Sequence, residues 1–200
     1  MEAIIHGLVL AFGLILPLGV QNVFVFSQGA TQPKLIRALP ATLTASICDT
    51  FLILLAVFGL STIVLQFEWL KISLMIAGIL FLVYMGYVIW MSKPAAIESN
   101  SALPSRQQII FALSVSLLNP HAILDTVGVI GTSALKYVGW EQVYFTIACI
   151  IVSWIWFFGL TFAGSVMKKV DNTGGLMNIF NKCSALFIWG TAIYLLIGLI

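Results

Sequence analysis

The sequence predicts an all-α polytopic membrane protein: six transmembrane helices arranged as two inverted three-helix repeats, with helices one and four broken by proline. Three observations predict it. Charged residues make up 8% of the 200-residue chain, against roughly 25% in an ordinary soluble domain, too few to cover a water-facing surface. The apolar residues come in long runs of the kind that cross the roughly 30 Å hydrocarbon core, a span of about 20 helical residues. Prolines interrupt the first and fourth runs, each followed five residues later by a polar side chain, Asn22 after Pro17 and Asp125 after Pro120.

The first run is Ile4–Phe26. Glu2 is the only charged side chain before Lys34, so no basic region of the kind that opens a cleaved signal peptide precedes this run, and the helix is expected to be retained. Pro17 and Gly19 mark its break. The second run, Leu39–Ile63, carries Asp49, and the third is Leu70–Met91. A polar stretch, residues 92–108, reads as a flexible loop between repeat one (about 1–91) and repeat two (about 109–200) of a single transporter domain. The fourth run is Ile109–Ala134 with Pro120 at its break, and the fifth is Val143–Met167. Cys183–Ile200 is short for a span, so its helix is expected to begin near Met177 with Lys182 snorkelling to the interface. Trp69, Trp90 and Trp140 stand at run ends, where interfacial aromatics belong.

Orientation follows from Lys and Arg in the loops. Loops one, three and five hold Lys34, Arg37, Lys93, Arg106, Lys168, Lys169 and Lys182, whereas loops two and four hold Lys71 and Lys136. Six spans then put the odd loops in the cytoplasm and both termini outside. Both halves also contain "FGL", at Phe58–Leu60 and Phe158–Leu160, 100 residues apart, while the two prolines are 103 apart. Two halves of three spans each must be inverted relative to one another. Secondary transporters of that architecture bind substrate near the midplane, where matching helices are interrupted.

A proline inside a helix removes one hydrogen bond and crowds the carbonyl four residues back. In lipid the freed groups need partners inside the protein or in water. A plain kinked helix would meet that need, but polar residues adjoin both breaks. Asp49 and Asp125 are the carboxylates well inside predicted spans, and no Lys or Arg lies at comparable depth. An ionised carboxylate there is normally paired, protonated or beside water. Lacking a base, these two call for protons or a cation from outside; the plainer alternative is a permanently protonated hydrogen-bonder. His121, four residues before Asp125, shares its face if the turn is helical, which makes it a proton relay or a packing hydrogen-bonder. His6 reads as interfacial. Gln21, Asn22 and Asn119 offer carboxamides, and broken-helix N-termini favour a substrate carboxylate. Trp154, Trp156 and Trp189 lie deeper than a belt and are expected to pack against glycines, the alternative being to stack on a cationic head group.

No metal motif, nucleotide-binding loop or nucleophile elbow occurs. The chain therefore reads as a transporter rather than an enzyme, with no cofactor implied. A net charge of +2 without a dense basic cluster argues against nucleic acid. Cys48, Cys149 and Cys183 have neither C-x-x-C nor metal-ligand spacing.

The stretches "LPLGVQNVFVFSQG" (Leu16–Gly29), "CD" (Cys48–Asp49), "LLNPHAILDT" (Leu117–Thr126) and "WFFGL" (Trp156–Leu160) resemble the LysE/ArgO-type exporters of basic amino acids, across nearly the whole chain. Val20 follows Gly19 where that family often has proline. The resemblance implies a multi-pass bacterial inner-membrane permease that expels lysine or arginine, driven by the proton gradient or membrane potential. A homo-oligomer is compatible with it. On this reading the site lies between segments one, two and four, with Asp49 and Asp125 receiving the cation or a proton. Competing readings are an exporter of other amino acids of the same superfamily, a metal or inorganic cation exporter, a thiol redox relay that needs a reactive cysteine pair, and a non-transporting scaffold.

Overall fold

The structure, a computed structural model, describes residues 1–16, 19–60, 68–91, 102–119, 122–123, 126–170 and 175–197. Within them the chain is helical. Helix α1 (Glu2–Ile15) and α2 (Val20–Thr31) are the two pieces of the first run, inclined to one another by 78°, far beyond an ordinary kink. Helix α3 (Leu35–Leu55) passes into a π-helical stretch, π1 (Ala56–Leu60). Helix α4 is Glu68–Met91 and α5 is Ser105–Leu117. The fourth run continues past α5 as π2 (Thr126–Gly131) and a short α6 (Thr132–Ala134). Two long helices follow, α7 (Trp140–Val170) and α8 (Gly175–Ile197).

Both central helices are built inside out relative to a soluble protein. On α3, Leu43, Ile47, Phe51 and Leu54 are exposed, while Ala38, Ala41, Thr42, Ala45 and Ser46 are buried. On α7, Ile147, Ile151, Ile155 and Phe162 face outward, with Thr146, Ala148, Cys149, Ser153 and Thr161 inside. A soluble helix buries its large apolar stripe; lipid removes that drive, so small residues take many of the helix contacts and many large ones face outward, although Leu52 and Ile53 of α3 and Phe145 and Phe157 of α7 stay inside. Leu35–Gly59 and Trp140–Val170 are long and apolar enough to cross a membrane, and the α1–α2 pair makes a third if taken as one bent span.

The packing is reciprocal. Helices α1 and α2 lie along α7, α5 and π2 lie along α3, and π1 packs on π2. Helix α3 also crosses α7, and α4 pairs with α8. Where α2 crosses α7 the backbones touch: a β-carbon on Gly29 would overlap the Thr161 carbonyl, and one on Gly164 the Phe26 carbonyl. The Thr42 and Thr161 hydroxyls share a hydrogen bond of 2.7 Å between α3 and α7.

Polar contacts sort the helix ends into two groups. At one end Lys168 donates to the Gln32 carbonyl at 2.8 Å, Gln32 and Gln108 side chains both donate to the Leu103 carbonyl, and Gln108 reaches the Arg37 carbonyl. At the other, His6 and the Tyr137 hydroxyl are hydrogen-bonded at 2.9 Å, with Phe145 beside both rings.

Two sequence expectations need correction. The connection ends by Ser105 rather than Gln108, because Gln108 is fully buried and pins α5 to the preceding turns. Helix α3 starts at Leu35, not Leu39, which puts Pro40 inside it. The Lys182 ammonium donates to the Trp90 carbonyl at 2.8 Å and lies 3.9 Å over the Trp90 ring, satisfying the C-terminal end of α4. His6 packs on Tyr137 and Phe145 at the α1–α7 contact.

Candidate functional site

The break in the first run starts from its freed carbonyls, since the last turn of any helix leaves C=O groups without intrahelical donors. Gly19 is extended (φ −67°, ψ 168°) and lets the chain re-enter a helix at Val20. The Asn22 side-chain amide then turns back and donates to the Ile15 carbonyl at 2.8 Å. Asn22 thereby bridges the two half-helices, a structural duty beyond the one expected of it. In the fourth run the Asn119 carbonyl accepts from the Ile123 N–H at 3.1 Å, and Thr126 donates its hydroxyl to the Ala122 carbonyl at 2.6 Å. Pro17, Pro120, His121 and Asp125 lie outside the described residues.

The two breaks meet at a cavity of about 220 Å³. That is below the roughly 300–1,000 Å³ of pockets for drug-sized ligands and suits a small metabolite. Gly19, Gln21, Asn22, Asp49 and Asn119 all line it, so the five described residues among those expected at the site share one space. Gln21 is buried and its side-chain nitrogen lies 3.5 Å from the Ala45 carbonyl. Asp49 enters from α3. Ser153 of α7 lies beside it, and no cationic side chain among the described residues acts on the carboxylate.

The walls are wider than segments one, two and four. Helix α7 supplies Cys149, Ser153 and Phe157, and α4 and α8 supply Leu82, Phe187, Ile188 and Thr191. The apolar walls belong to three core clusters, one with Ile53, Ile130 and Cys149, another with Leu82 and Ile188, and a third with Phe157. Two pairs of lining residues repeat at an offset of 100: Asp49 and Ile53 on α3, Cys149 and Ser153 on α7. "FGL" shares that offset, although Phe58–Leu60 is π-helical and Phe158–Leu160 is ordinary α-helix.

Unpartnered polar atoms also face this space. The Ser153 hydroxyl and the Asn119 side-chain oxygen are buried and have no hydrogen-bond partner among the described residues. Ser153 escaped the sequence reading because a serine in an apolar span reads as a small packing residue. The deep tryptophans pack instead: Trp154 donates to the Thr50 hydroxyl at 3.0 Å, Trp156 meets Phe12 edge-on, and Trp189 covers Gly86. All three cysteines are free. Among the described residues no group of three His, Cys, Asp or Glu could hold a metal ion.

Comparison with known proteins adds to this geometry. The model of the family described as "LysE type translocator" matches residues 12–199. The chain is 55% identical over 195 residues to "Putative amino-acid transporter YisU" of Bacillus subtilis (strain 168), covering 97% of this chain and 89% of that one. It is 31% identical over 199 residues to "Arginine exporter protein ArgO" of Pectobacterium carotovorum subsp. carotovorum (strain PC1), covering 96% and 95%. The protein of the same name from Escherichia coli O157:H7 is 31% identical over 195 residues, covering 95% and 91%. No solved structure matches the chain.

Proposed function

The chain belongs to the LysE type translocator family, and from that premise we propose that it exports basic amino acids, L-arginine or L-lysine, from the bacterial cytoplasm. One observation carries the proposal: Asp49 lines a small cavity at the meeting of two broken segments, with no cationic side chain among the described residues to neutralise it. A carboxylate so placed takes a proton or a cation. A basic amino acid supplies the cation, and its release leaves the position open to a proton. The arginine exporters among the relatives support the same substrate class.

Transport is by alternating access, driven by the proton gradient or membrane potential. The chain crosses the membrane six times as two inverted repeats, with both termini outside. Reciprocal packing of α1–α2 on α7 and of α5–π2 on α3 supports that arrangement. So does the repeated spacing of Asp49 and Ile53 with Cys149 and Ser153. The bonds that gather Gln32, Arg37, Leu103 and Lys168 at one end support placing loops one, three and five on one side. Asp125 and His121 belong to the same site, and Asn119 and Gln21 orient the amino-acid backbone.

The test is efflux of labelled arginine or lysine from loaded proteoliposomes. Wild-type protein is expected to export at least one of them, and Asp49→Asn to lose tenfold or more of the rate, with little dependence on pH between about 5 and 8. If Asp49→Asn exports as well as wild type throughout that range, the carboxylate has no part in transport.

A further inference from the structure

Ser153 departs from the habit of its neighbours. On α3 and α7, hydroxyls in the helix interior return to the carbonyl four residues back: Thr42, Thr44, Ser46 and Thr50 on one, Thr146 and Thr161 on the other. That bond satisfies a hydroxyl locally. Ser153 is 2% exposed, lines the cavity and does not make this bond; its hydroxyl stands beside the Asp49 carboxylate and has no other partner among the described residues. The Asn119 side-chain oxygen, in a residue 6% exposed, is in the same condition across the cavity lining. Buried polar atoms are costly to leave unpaired, and two of them in one cavity with a carboxylate mark a place built for an incoming partner.

We propose that Ser153 Oγ and Asn119 Oδ1 receive the substrate's cationic head together with Asp49. This rests on the transport reading and extends it to particular atoms. The chemistry of the set selects the head group. An ionised carboxylate and a carboxamide oxygen only accept hydrogen bonds, and a serine hydroxyl accepts as well. Such a set is matched by a cation carrying several N–H donors, three on an ammonium and five on a guanidinium. A hard metal ion would want six or more oxygens, and no metal-holding cluster occurs among the described residues. Placement adds a mechanical consequence. Asp49 is on α3 and Ser153 on α7, at positions offset by one helical turn between the two halves. A cation held by both therefore joins the first half of the chain to the second.

The experiment measures thermal unfolding of the purified protein, in detergent, as arginine, lysine or alanine is titrated. Wild type is expected to be stabilised by arginine or lysine and not by alanine. Ser153→Ala removes an unpaired hydroxyl, so without amino acid it should melt at the wild-type midpoint or above. Its apparent Kd for the cationic amino acid should be about tenfold weaker, as expected for losing one hydrogen bond to a charged group. Equal affinity in Ser153→Ala and wild type overturns the inference and leaves the transport reading intact. A lower midpoint of the ligand-free variant also overturns it, by showing a structural role. Failure of both cationic amino acids to stabilise wild type overturns the transport reading and this inference with it.

Discussion

Alanine at Gly7 and alanine at Gly13 should change stability in opposite directions, although both lie on α1. A β-carbon on Gly7 would stand 2.7 Å from the Phe145 carbonyl oxygen and 3.0 Å from the Ala148 β-carbon. Ordinary C···O approaches are about 3.3–3.6 Å and C···C contacts about 3.5–4.0 Å, so α1 must back away from α7 by roughly half an ångström. Overpacking of that kind costs about 1–3 kcal/mol. A β-carbon on Gly13 meets nothing within 4 Å, which leaves the intrinsic advantage of alanine over glycine in a helix, up to about 1 kcal/mol. That advantage applies to both positions and cancels between them. The difference between the variants is therefore the overpacking cost alone. At about 2–4 °C per kcal/mol for a chain of this size, Gly7→Ala should melt roughly 2–12 °C below Gly13→Ala in one detergent at one scan rate. A midpoint for Gly7→Ala equal to or above that of Gly13→Ala would show that the α1–α7 contact is not close.

Two further substitutions address the helix contacts. Thr42→Val and Thr161→Val should each cost about 1 kcal/mol by unfolding midpoint, the worth of one internal hydrogen bond. The double variant should cost less than their sum, because both singles remove the same 2.7 Å bond; additive losses would contradict the contact. Lys182→Met should lower the midpoint by about 1–3 kcal/mol, since it removes a charged donor from the Trp90 carbonyl and a cation from the Trp90 ring. An unchanged midpoint would mean that Lys182 contributes nothing to the α4–α8 pair.

Much of the site was legible because its residues break rules that apolar helices obey. Gly19 stands beside a mid-run proline, Asn22 follows that proline, and Asp49 has no partner in its run. Each is an anomaly along the chain, and the fold brings them into one cavity with Gln21 and Asn119. Ser153 was not legible, since serine is common at helix contacts in membranes and its missing bond exists only in three dimensions. For Lys182 the sequence points to a span end but not to its partner there, the carbonyl of Trp90, 92 residues earlier in the chain. Gln28, Gln32 and Gln108 are likewise polar residues near span ends by sequence, yet the fold buries all three. Long-range partners decide these positions, and local patterning does not encode them.

The reciprocal packing of α1–α2 on α7 and of α5–π2 on α3 means that neither half of the chain owns its core. The broken segments lean on helices distant in sequence, so residues 1–91 alone would leave bare the faces of α3 that meet α5, π2 and α7, and residues 105–197 alone the faces of α7 that meet α1, α2 and α3. Residues 1–91 and 105–197 are in that sense two partners that share a polypeptide. A covalent connection between them sets their stoichiometry and raises their effective concentration, while the grip between them resides in the exchanged helices.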